Sequence, residues 1–152
     1  MRWRVWKAIQ SSWKVRYTFS KKYSLGSRWI SAGSQLRCRF HIEDLPSEVT
    51  VPSNIRHNLC MVVKEAINNT VKHAHAKELK LQIGLSDEKL KITIEDNGCG
   101  FDQPPSDDGA DGLRNMRQRL ADIGGECWIQ GRPGGGTKVD IELPWSKIGN
   151  SS

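Results

Sequence analysis

Apolar residues recur along this chain in two rhythms. Leu36, Cys38, Phe40 and Ile42 alternate with Arg37, Arg39 and His41, a period of two that predicts a half-buried strand. The alternation returns at Leu79, Leu81, Ile83 and Leu85 and again at Leu90, Ile92 and Ile94, with Ser86-Asp87-Glu88 between them as the turn of a hairpin. A short strand over 127–130, a tight turn over 131–136 and a last strand over 137–143 follow, with Val139, Ile141 and Leu143 pointing inward.

Elsewhere the period lengthens. Ser53 offers an N-cap, and no Gly or Pro interrupts the chain from there to about His75. At about 100° per residue, Ile55, Leu59, Val62, Val63, Ala66, Thr70 and Ala74 form a core-facing stripe, with His57, Lys64, Asn68 and His75 on the wet side. Glu65, Asn69 and Lys72 share the border. There a carboxylate and an amide one turn apart can point at a ligand together, or simply form a solvated helix edge. A second helix is predicted to open at Gly112, to carry Leu113, Met116, Leu120 and Ile123 on one face and to stop at Gly124-Gly125. Residues 43–52 read as a loop, and 102–111, acidic and poor in apolar side chains, as a mobile one.

The strand holding Ile94 runs into Asp96-Asn97-Gly98-Cys99-Gly100-Phe101. A carboxylate at a strand end can point into a pocket floor, and the glycines let the backbone take φ > 0 or lie close to a ligand. Taken alone, the same letters describe a turn. The predicted helix start at Gly112 is a natural seat for phosphate, because free N–H groups and the helix dipole both favour an anion. Arg114, Arg117 and Arg119 add positive charge nearby.

Charge divides the chain. The net charge is +6, yet residues 1–42 hold ten Lys/Arg and no Asp/Glu, while the remainder holds thirteen against seventeen, a net of −4. Argument from a basic pI therefore applies only to the N-terminal segment, and no specific nucleic-acid partner is expected. In residues 1–34, Trp3, Trp6, Trp13 and Tyr17 fall near one side of a helix. This predicts either a disordered or a helical extension, able to lie on an anionic membrane surface or on another domain. The expected layout is thus an extension over 1–34, one domain over 35–145 and a polar tail over 146–152. Neither a membrane-spanning apolar run nor a secretory leader is evident. Cys38, Cys60, Cys99 and Cys127 form no C-x-x-C pair and read as reduced thiols of a cytoplasmic protein.

Taken in order, these features resemble the ATP-binding domain of sensor histidine kinases, within the Bergerat (GHKL) ATPase superfamily. The sequence from Glu65 through Ala74 (Glu-Ala-Ile-Asn-Asn-Thr-Val-Lys-His-Ala) looks like the N box, and Asp96–Gly100 like the first glycine box. Gly112 to Arg119 looks like the second glycine box of the NarL/DegS-associated kinases, and Gly134–Thr137 resembles the closing G-x-G-T. The resemblance covers roughly 36–144. It implies an α/β (α+β) two-layer sandwich, with a mixed, mostly antiparallel sheet carrying helices on one face.

The resemblance further implies ATP and Mg²⁺ as cofactors, with named roles. Asp96 accepts from the adenine amine, completed by a water shared with Thr137. Asn69 is the metal ligand and Glu65 orients or deprotonates through the metal's water shell. Lys72 and His73 neutralise phosphate charge, Gly98 and Gly100 let the backbone pass the nucleotide, 102–111 form a lid, and Gly112 and Leu113 approach the phosphates. In this reading Glu65 and Lys72 are catalytic and the rest bind nucleotide. Two departures stand out. Ala110 occupies the first position of the usual G-x-G-L, and His41, His57, His73 and His75 are all poorly placed as phosphoacceptors. The implied partners are a histidine-bearing dimerisation domain or protein and a response regulator. The alternatives are a stand-alone serine kinase of the anti-sigma-factor type and a degenerate nucleotide-binding scaffold.

Overall fold

The computed structural model describes residues 27–30, 36–43, 51–102 and 108–149. The proposed helical face of Trp3, Trp6, Trp13 and Tyr17 lies outside them, as do 103–107 of the expected lid. Among the described residues, six strands build a single sheet: β1 (Ser27–Ile30), β2 (Arg37–Ile42), β3 (Glu78–Ser86), β4 (Lys89–Asp96), β5 (Glu126–Arg132) and β6 (Gly136–Pro144). Their order is β1-β2-β3-β4-β6-β5. Only β2 and β3 run parallel, because the long helix α1 (Ser53–Asn69) carries the chain back between them. The other pairs are antiparallel, as the resemblance implied.

Alternation decides which face is covered. Leu79, Leu81 and Ile83 of β3, Leu90, Ile92 and Ile94 of β4, and Val139, Ile141 and Leu143 of β6 are all buried. They pack against the α1 stripe, in which Ile55, Leu59, Val62, Val63 and Ala66 are 5% exposed or less. Helix α2 (Asp108–Ala121) adds Leu113, Met116 and Leu120 to the same core. The hairpin turn at Asp87-Glu88 has φ 54° and 57°, the paired left-handed geometry that suits the twist of adjoining strands.

Four expectations need correction. Ser53 is not the N-cap but the first helical residue; Pro52 occupies the cap position and no side chain closes the helix start. The helix does not continue regularly to His75. After Asn69 it becomes a π-turn, Thr70–Ala74, and His75 ends it at φ 49°. Helix α2 begins at Asp108, so Gly112 lies past the free first-turn amides. Finally, Ser146–Gly149 forms a short helix, α3, and Ile148 is 1% exposed, so the polar end of the chain contributes to the core. Of the N-terminal extension, Ser27–Ile30 is an edge strand pairing with β2.

None of the four cysteines forms a disulfide. Burial pushes Cys38 and Cys127 up to about 11, and at Cys127 the nearby Arg117 opposes this while Asp140 reinforces it. No described helix is long and apolar enough to cross a membrane.

Candidate functional site

The end of β4 meets the π-turn, and the contact is made by backbone. Cys99 donates its N–H to the Ala74 carbonyl at 2.8 Å, and a Cβ at position 98 would run into that same carbonyl. Gly98 is therefore required by close approach rather than by conformation. Gly100 (φ 61°) and Gly136 (φ 83°) combine both requirements: a Cβ on the first would meet the Arg132 carbonyl, and on the second the Asp96 carbonyl. Asn97 is engaged by the backbone of a neighbouring strand. Its Oδ1 accepts the Lys77 and Glu78 amides at 2.9 and 2.8 Å, tying the start of β3 to the end of β4.

This crossing holds Asp96 at the floor of a cavity. The residue is 6% exposed. Its Oδ1 accepts the N–H of Gly98 at 2.8 Å and of Thr137 at 3.2 Å, and its Oδ2 accepts the Thr70 hydroxyl at 3.0 Å. Three donors thus satisfy the oxygens of this buried side chain. The Thr137 contact is direct, from the backbone.

Above this floor lies a cavity of about 290 Å³. Ala66, Ile94, Met116, Ile129 and Val139 make its walls apolar, Phe101 and Leu113 bound it, and Asn69, Thr70, His73, Asp96 and Thr137 supply polar groups. Phe101 is seated because position 131 is glycine: a Cβ there would stand 2.6 Å from its ring. An apolar chamber with one carboxylate at its base suits a flat heterocycle that offers a hydrogen-bond donor at its edge.

Of the residues expected from the sequence, Asn69, His73, Asp96, Gly100, Leu113 and Thr137 line this cavity, and Gly98 braces its carboxylate. Glu65, Lys72 and Gly112 are not part of the lining. Glu65 is half-buried between the helices, its Oε1 2.7 Å from where a Gly112 Cβ would be. Lys72 is exposed. Among the described residues no group of three or more His, Cys, Asp or Glu side chains gathers as a metal site. Helical periodicity assigns Thr70 only to the core stripe. Its signal was a hydroxyl in an otherwise apolar stripe, directly after Asn69.

Residues 54–147 match the model of the histidine kinase-, DNA gyrase B-, and HSP90-like ATPase family. The sensor protein VraS of Staphylococcus epidermidis is 33% identical over 102 residues, 67% of this chain and 29% of that protein. VraS of Staphylococcus aureus is 33% identical over 97 residues, 64% of this chain and 28% of that protein. The chain thus spans under a third of the length of these relatives. Among solved structures, the ATP binding domain of PrrB from Mycobacterium tuberculosis superposes with a TM-score of 0.54 at 27% identity, covering 73% of this chain and 81% of that one. The Erythrobacter litoralis EL346 blue-light activated histidine kinase gives 0.62 at 24% identity, covering 75% and 36%, a likeness of fold. With more than half of its length matched by the family model, the chain belongs to the histidine kinase-, DNA gyrase B-, and HSP90-like ATPases.

Proposed function

We propose that this chain is the ATP·Mg²⁺-binding catalytic domain of a two-component sensor histidine kinase. It positions ATP for phosphoryl transfer to a histidine on a separate domain or protein, with a response regulator downstream. Its proposed place is the cytoplasm, where ATP is available. The observation that carries the reading is the buried, triply bonded Asp96 carboxylate beneath an apolar cavity, with Asn69 in the same wall.

In this reading the base enters the cavity and Asp96 accepts from its exocyclic amine, which selects adenine over a base with oxygen at that position. The apolar walls exclude water from that bond and so strengthen it. Asn69 would hold Mg²⁺ through its side-chain oxygen, and the ion would supply charge neutralisation to the phosphates. Lys72 adds positive charge toward the phosphates, and His73 at the cavity wall offers them a ring N–H donor. Glu65 sits behind Asn69 on the same strip of α1, against Gly112, where it orients groups around the metal. Phosphoryl transfer depends chiefly on alignment and electrostatics, so this domain's work is to hold the nucleotide in one pose.

Calorimetry tests the pocket. The parent is expected to bind MgATP at roughly millimolar affinity or tighter, and Asp96→Asn, which replaces half of the acceptor with a donor, to lose it. Equal binding by the two sinks the assignment. Mixing with candidate histidine-bearing domains and labelled ATP tests the reaction class: an acid-labile product supports histidine transfer, and an acid-stable one points to a serine kinase. Binding without transfer to any partner leaves a scaffold.

A further inference from the structure

Thr70 and Asp96 are both buried, at 4% and 6% exposure, and they are bonded to each other. The Thr70 hydroxyl has one proton and two acceptors in reach, Asp96 Oδ2 at 3.0 Å and the Ala66 carbonyl at 3.2 Å. The carboxylate wins, because a charged acceptor makes the stronger bond. A carboxylate has about four acceptor sites, two on each oxygen. At Asp96, Oδ1 is filled by the amides of Gly98 and Thr137, and Oδ2 is half filled by Thr70. Among the described residues no other group bonds this carboxylate, so one acceptor site remains, on Oδ2, and both Asp96 and Thr70 line the cavity.

We propose that Thr70 is a positioning residue for base recognition: its hydroxyl fixes Asp96 Oδ2 so that a single acceptor site faces the cavity, matched to the exocyclic amine of adenine. The inference rests on the adenine reading above. It gives the end of α1 two tasks on consecutive residues, Asn69 toward the phosphates and Thr70 toward the base. The place where the regular helix gives way to the π-turn is the place where the hydroxyl reaches across to the end of β4. Without that hydroxyl, the carboxylate is free to turn about its own bond and to admit water on Oδ2, so the amine meets a less defined acceptor.

The test compares ATP with purine riboside triphosphate, which lacks the exocyclic amine, by calorimetry on the full chain with Mg²⁺. Thr70→Val is expected to weaken ATP binding about tenfold, in the range of a hydrogen bond to a charged group. It should leave purine riboside triphosphate within about twofold of the parent, as no amine is there to be placed. Thr70→Ser, which restores the hydroxyl, is expected to recover ATP binding. Equal weakening of both nucleotides by Thr70→Val, failure of Thr70→Ser to recover, or no change in ATP binding would each overturn the role of Thr70 while leaving the pocket intact. If the parent itself binds both nucleotides equally, the adenine reading fails first and takes this inference with it. Should Thr70→Val not fold, Thr70→Ala on the two nucleotides decides: a selective loss of ATP that Thr70→Ser does not show supports the role, and unchanged binding or an equal loss of both nucleotides removes it.

Discussion

Gly134 and Gly136 stand two residues apart in the turn between β5 and β6, and both hold a positive φ, 68° and 83°. Around Gly134 a Cβ meets nothing within 4 Å, whereas at Gly136 it would collide with the Asp96 carbonyl. Gly134→Ala should therefore cost only backbone strain, about 1 kcal/mol, and leave nucleotide binding unchanged. Gly136→Ala should cost about 2–4 kcal/mol and also weaken binding, because the residue it displaces is the pocket floor. Urea titration and calorimetry on the two variants check this; equal costs would show that φ, not the crossing, governs the turn. Alone, the letters around Asp96 describe a turn; its place at the end of an alternating strand, beside the Glu65/Asn69 helix edge and the resemblance, made it a candidate pocket floor. Thr70 was not legible, since helical periodicity can assign it only to a buried stripe. The partner that makes it polar by design lies 26 positions away.

At the scale of elements, the bounds of β2 to β6 were readable to within a residue or two, since alternation reports burial directly, whereas β1 lies inside the segment expected as a disordered or helical extension. Helix ends were less so, because their caps depend on neighbours. Ser53 has the residue type of an N-cap but stands one position inside, with the extended Pro52 (ψ 143°) before it and Arg56 N–H bonded to the Pro52 carbonyl at 2.9 Å. Ser53→Ala should then change stability by no more than about 0.5 kcal/mol, against about 1 kcal/mol for loss of a working cap. A loss of the larger size in thermal unfolding would mean that the hydroxyl caps the helix after all. Helix α2 gives the converse lesson. Gly112 looked like a beginning because glycine breaks helices, but the helix passes through it. A Cβ there would meet only the end of the flexible Glu65 side chain, which can give way, and this contact between α1 and α2 leaves no trace in either segment alone.

Across the whole molecule, the two ends of the sheet have separate tasks. Strand β6 begins at Gly136, beside Asp96, and ends at Pro144, roughly 25–30 Å away at about 3.3 Å per residue. At that far end the Trp145 N–H donates to the Glu88 carbonyl in the β3–β4 turn at 2.7 Å, and the Ile148 N–H returns to the Trp145 carbonyl at 2.9 Å. Ile148, 1% exposed, closes the core there. The sequence hid this because one apolar residue among polar neighbours has no period to reveal it. Ile148→Ala should lose about 2–4 kcal/mol from the transfer of its side chain and the cavity left behind, lowering the melting temperature by about 4–16 °C for a chain of this size. Because the deletion lies at the opposite end of β6 from the carboxylate, ATP affinity measured well below the transition should match the parent. A drop in affinity at a temperature where the variant is fully folded would show that the two ends of the sheet are coupled, and that α3 helps to set the geometry of the pocket.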